Sequence, residues 1–112
     1  MDFDKQIDEI KKRLAALGKV RPGSVSKQFN VCGKLGCKCK DKVNPQKHGP
    51  YYILSYRYAG KNTTEYVSPE HLRTIHRQLK NYTAMMELVN KWVGVCIQKS
   101  KIEMKKTREA SN

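Results

Sequence analysis

Residues 51–72 read YYILSYRYAGKNTTEYVSPEHL, and how this stretch divides decides the fold. YYILSYRY is dense in tyrosine and branched residues, the composition of a strand. With a period of two, Tyr52, Leu54, Tyr56 and Tyr58 face one way. Tyr51, Ile53, Ser55 and Arg57 face the other. AGK then reads as a turn and NTTEYV as the returning strand of an antiparallel hairpin. SPEHL opens a helix. Ser68 is placed as N-cap, Pro69 suits the first helical position, and Glu70 meets the positive end of the helix dipole.

Downstream, Leu72, Ile75, Leu79, Tyr82, Met86, Val89, Val93 and Cys96 recur in steps of three and four. No proline follows Pro69, so one helix is expected to pass residue 100. A 30-residue helix spans about 45 Å, more than a small sheet covers. Its distal half therefore calls for another helix or a second subunit along a coiled-coil-like seam. Upstream, Phe3, Ile7, Ile10, Leu14 and Leu17 form a second helical stripe, which Gly18 ends. After the turn at RPGS, SVSKQFNV reads as a short strand. The expected fold is α+β. A small three-stranded antiparallel sheet with an inserted zinc loop packs on a long C-terminal helix, joined by an N-terminal helix. We read one domain over 1–112. It comprises a first helix at 1–18, a sheet at 24–67 with its loop at 31–50, a long helix at 68–106 and a frayed tail at 107–112.

Between the first two strands lies VCGKLGCKCKDKVNPQKHGPYY, with three of the four cysteines. Cys32, Cys37, Cys39 and His48 supply three thiolates and an imidazole, the donor set of a tetrahedral structural zinc site. Gly33 and Gly36 permit the tight turns such a site needs. Lys34, Lys38, Lys40, Lys42 and Lys47 would offset the anionic thiolates and favour their deprotonation. The C-x4-C-x-C spacing departs from the common C-x2-C. Free thiols in a loop and oxidative pairing are the competing readings, although Cys37 and Cys39 are too close to bridge easily. A water in place of His48 also stays open as the fourth ligand. Cys96 belongs to the helical stripe and reads as packing.

The chain of 112 residues carries 23 basic and 10 acidic residues, a formal net charge of +13. The excess is concentrated in residues 21–50 and in the long helix, and it points to a polyanionic partner. No apolar run reaches membrane-spanning length, and the N-terminus is acidic and amphipathic, unlike a secretory signal. A cytoplasmic protein with reduced cysteines and no membrane partner is the expectation. Paired carboxylates and a phosphate-cradling glycine motif are absent, His48 is the only histidine in the loop that could serve a thiol as base, and a closed four-ligand zinc leaves no position for water, so no enzymatic activity is expected.

RPGSVSKQFNVCGKLGCKC, followed by HGPYYILSYRYAGKNTTEYV and a long basic helix, resembles a family of small uncharacterised prokaryotic proteins. These share a CGK-x-GC-x-C…HGPY…LSY…GK…YV pattern and often occur in mobile-element settings. The succession of hairpin, strand and helix is also similar to the arm-type DNA-binding domains of phage integrases. In those, a three-stranded sheet enters the major groove. The leading expectation is a small basic nucleic-acid-binding protein, DNA before RNA, with one structural zinc ion. The loop lysines would contact phosphates. Tyr51, Arg57, Lys61 and Thr63 would lie at the exposed sheet face. The alternatives are RNA binding by the same surface, or a helical homodimer or adaptor for a protein partner such as a recombinase.

Overall fold

The computed structural model describes residues 2–30, 38–40, 46 and 48–111, with the side chains of Cys39 and Ser111 outside that description. Helix α1 (Phe3–Ala16) precedes strands β1 (Ser24–Asn30), β2 (His48–Tyr58) and β3 (Lys61–Val67). A 3₁₀ turn (Pro69–His71) then leads into helix α2 (Leu72–Ser111). The chain is thus α+β, with one antiparallel three-stranded sheet in the order β1-β2-β3. It divides into two units. One is Pro22–Leu79; the other joins Met1–Arg21 to Lys80–Asn112.

In the Pro22–Leu79 unit the period of two is realised. β1 and β2 pair with Val25 opposite Leu54 and Gln28 opposite Tyr51, and the register shifts between Gln28 and Asn30. β2 and β3 pair with Leu54 opposite Glu65 and Arg57 opposite Asn62. The face carrying Val25, Tyr52, Leu54, Tyr56, Thr63 and Val67 is the covered one: Leu54 is 0% exposed and the others are half-buried. Leu72, Ile75 and Leu79, from the first two turns of α2, are half-buried in the same unit. Glu65 is the only acidic residue in the three strands. It lies on the Leu54 side, where its Oε1 accepts a hydrogen bond of 2.6 Å from the Tyr56 hydroxyl.

In the other unit the two helices pair antiparallel. The Lys99 ammonium lies 2.8 Å from the Asp4 carboxylate. Lys11 Nζ sits 5.3 Å from the centre of the Trp92 ring. The Asn81 side chain donates to the Lys19 carbonyl at 3.0 Å. As numbers rise along the first segment they fall along the second. Ile10 and Leu88 are the buried residues of this seam. The Asp4 carboxylate, by hydrogen bond and charge, raises the Lys99 pKa above the ordinary lysine value. The pair is therefore in place at neutral pH, and what it contributes through Lys99 is lost as pH climbs through that raised value.

Three terminations differ from the sequence reading. The first helix is capped by Asp2, whose carboxylate accepts from the Lys5 amide at 3.0 Å. Ser68 stands at the N-cap position, but its hydroxyl makes no cap bond; the His71 amide bonds its carbonyl at 2.9 Å, which closes the 3₁₀ turn instead. α2 continues through the expected tail to Ser111, since nothing after residue 94 breaks a helix.

Candidate nucleic-acid interface

The hairpin turn decides which side chains reach the open face of the sheet. Reading AGK as a three-residue turn would set Tyr58 opposite Asn62, and Arg57 opposite Thr63. The structure instead has a two-residue turn: Ala59 at φ 52° and Gly60 at φ 80°, with Tyr58 opposite Lys61. Positive φ at both central positions is the turn whose twist matches that of the flanking strands. A one-residue slip moves every later side chain to the other face. Thr63 therefore stands opposite Tyr56 on the covered face and is half-buried. Lys61 shares that side at the exposed hairpin end. Tyr51 and Arg57 lie on the open face, as expected, and both are exposed.

The same register brings residues to the open face that periodicity alone did not single out. Ser24, Ser26 and Gln28 come from β1 and Asn62, Thr64 and Tyr66 from β3; they join Ile53 and Ser55, which the period of two had already placed beside Tyr51 and Arg57 on β2. Ile53 apart, every side chain on this face has a hydrogen-bonding group, and none is a carboxylate. The missing signal was the turn length; once that is two, Tyr66 must join Ile53. Tyr66 is 78% exposed and Tyr51 39% exposed. Their rings meet edge to face at 6.4 Å between centroids. An open cleft of about 850 Å³ adjoins them, bordered by Asn30, His48, Pro50 and Pro69.

At the same end of the sheet, Asn30 pairs with His48 and closes the base of the cysteine loop. His48 opens β2 and is half-buried. Gly49 follows at φ 135°, where a Cβ would stand 2.7 Å from the Gln28 carbonyl oxygen, so only glycine fits there. Within the loop, Lys38–Lys40 form a 3₁₀ turn, and the Gln46 amide donates to the Lys38 carbonyl at 2.9 Å. Lys38 and Lys40 are exposed. The backbone of Cys39 lies on this turn. Cys32, Cys37, Lys34, Lys42 and Lys47 fall outside the described residues, as does the Cys39 side chain. Among the described residues no three metal-ligating side chains come together.

The profile of a domain of unknown function, DUF6788, matches residues 1–77. The chain belongs to the DUF6788 family. The DUF6788 match takes in α1, the whole sheet, the cysteine loop and the first turn of α2, leaving most of α2 beyond it. No curated protein and no solved structure matches the chain. Among the described residues no helix is long and apolar enough to cross a membrane.

Proposed function

We propose that the chain is a small DNA-binding protein that lays the open face of its sheet into the major groove, beside a loop held by one structural zinc ion. The observation that carries this reading is the chemistry of that face. It gathers Ser, Gln, Asn, Thr, Tyr and Arg side chains on one exposed surface, while Glu65, the sheet's one carboxylate, is turned to the other side. Amide, hydroxyl and guanidinium groups are those that read base edges. The dimensions suit the task. Three strands span about 10 Å between their outer axes, against a major groove about 12 Å wide. Duplex RNA, with its narrow major groove, would not admit such a face. The loop lysines, including exposed Lys38 and Lys40, would supply phosphate contacts, in keeping with the net charge of +13.

The zinc reading rests on the donor set Cys32, Cys37, Cys39 and His48. Two features of the described backbone support it: the Asn30–His48 pair at the loop base and the turn that carries Cys39. Zinc would order the loop and present its lysines as one cationic surface. Purified protein should carry about one zinc per chain, and Cys37→Ser should lose it. An ordered, metal-free protein would refute this part of the reading.

A second reading has its own observation. The exposed Tyr51 and Tyr66 rings are a stacking platform of the kind that holds unpaired bases. Competition between duplex DNA and single-stranded RNA at fixed salt separates the two readings. On the DNA reading, duplex wins and log K falls with log[salt] at a slope steeper than about −3. Arg57→Ala then weakens specific binding about tenfold or more. A flat salt response removes both readings; single-strand preference abolished by Tyr66→Ala replaces the first with the second.

A further inference from the structure

The strand ladder leaves a notch at one end of the sheet. β2 runs from His48 to Tyr58, but β3 pairs with it only from Tyr58–Lys61 to Tyr52–Val67. Past Val67 the chain turns off through Ser68 into the 3₁₀ turn. Residues 48–51 of β2 thus have β1 along one side and, among the described residues, no strand along the other. The cleft of about 850 Å³ opens in this notch, and its volume is in the range of small-molecule sites. Tyr51 and Tyr66 give it aromatic walls, Pro50 and Pro69 apolar ones, and Asn30 and Ser68 hydrogen-bonding groups. Among the described residues that line it there is no carboxylate.

Taking the open face as the surface that lies on duplex DNA, the reading on which this rests, we infer that the cleft holds one unpaired base where the duplex gives way to single strand. Three observations select a base over other occupants. The first is the backbone. The two-residue turn makes Tyr58–Lys61 a hydrogen-bonded pair, and such pairs recur at every second residue down to Tyr52–Val67. Pro50 is the next residue whose backbone faces the notch, and proline has no N–H. An added peptide strand would find the ladder's next donor missing. The second is ring geometry. Tyr51 and Tyr66 stand at 72° to each other. A flat ring laid parallel to one meets the other near edge-on, and both arrangements are favourable. Tyr66 is 78% exposed, which leaves room for such a ring. A base also brings hydrogen-bonding edges, which Asn30 and Ser68 can meet. The third is continuity and charge. Tyr51 and Tyr66 belong to the open face and border the cleft, so a strand that leaves a duplex on that face passes the cleft at once. The net charge of +13 favours a guest carried on phosphates over a proline-rich peptide, another known occupant of aromatic-lined grooves.

Three probes test this with the full chain at fixed salt: a blunt duplex, the same duplex with a short single-stranded tail, and the tail strand alone. The tailed duplex should bind about fivefold or more tighter than the blunt one, the gain from one stacked base. Tyr66→Ala should bring that ratio to about one, whatever it does to the blunt duplex, and Tyr66→Phe should keep it. Iodouracil at the first unpaired position should photo-cross-link to Tyr51 or Tyr66, as mapped by mass spectrometry. Equal affinity for blunt and tailed duplex overturns the inference and leaves the DNA reading standing. Loss of all duplex binding removes that reading and the inference with it. A tail strand that binds alone as tightly as the tailed duplex overturns the junction, and so does a ratio that survives Tyr66→Ala. A proline-rich peptide that displaces the tail gives the cleft to a protein partner and also overturns the proposal.

Discussion

Gly23 shows how much one position can hold in so small a sheet. Its φ is 128°, a region that side-chain-bearing residues rarely enter. A Cβ there would lie 2.7 Å from the Ser55 carbonyl oxygen and 3.0 Å from Tyr56 Cβ. Both obstacles belong to the central strand and cannot swing aside. Gly23→Ala should therefore lower the unfolding free energy by about 2–3 kcal/mol, read as a lower urea midpoint. An unchanged midpoint would mean that the chain enters β1 by another path. Gly23 was legible from the sequence only as part of the turn RPGS; its contact with β2 was not, because that depends on strand pairing. Ala59 was the opposite case. A non-glycine residue at φ 52° gives no clear signal, so the turn length was misread. With it went the facing of Thr63, and with Thr63 the membership of the open face.

Among the elements, the helices were the most legible. A three-and-four step repeated over many residues has one good explanation, and α1 and α2 follow it. Their ends were less legible, because caps depend on single side chains: the Asp2 cap escaped notice and the Ser68 hydroxyl cap is not made. The helix pair offers a direct test. Ile10 is 8% exposed and is the buried residue of α1. Ile10→Ala should destabilise this unit by about 2–4 kcal/mol through lost burial and the cavity left behind. Trp92, the only tryptophan, sits against α1 through Lys11 and reports its docking by fluorescence. A Trp92 transition that does not move would mean that α1 adds little to the stability of α2. The α2 stripe was legible in period but not in facing: α2 meets α1 through Met85, Leu88, Trp92 and Val95, one residue before the Met86, Val89 and Val93 read from the sequence, and Cys96, expected to pack, is exposed.

For the whole molecule, charge and topology carry different kinds of information. The net charge of +13 was plain from composition and narrows the partner class without placing a single contact. The placing came from strand register, which no count of lysines supplies. The topology also sets a timetable. The β2–β3 hairpin joins neighbours in sequence, with Tyr58 opposite Lys61. The helix pair instead joins Asp4 to Lys99, 95 residues later. Local contacts form early, and distant ones wait for the chain. At synthesis rates of about 5–20 residues per second, α1 waits roughly 5–20 s for its partner. Through that interval Ile7, Ile10 and Leu14 have nothing to pack on. The charges between them, Asp4, Lys5, Asp8, Glu9, Lys11 and Lys12, then act as a guard, keeping a nascent helix dispersed until the last third of its own chain arrives.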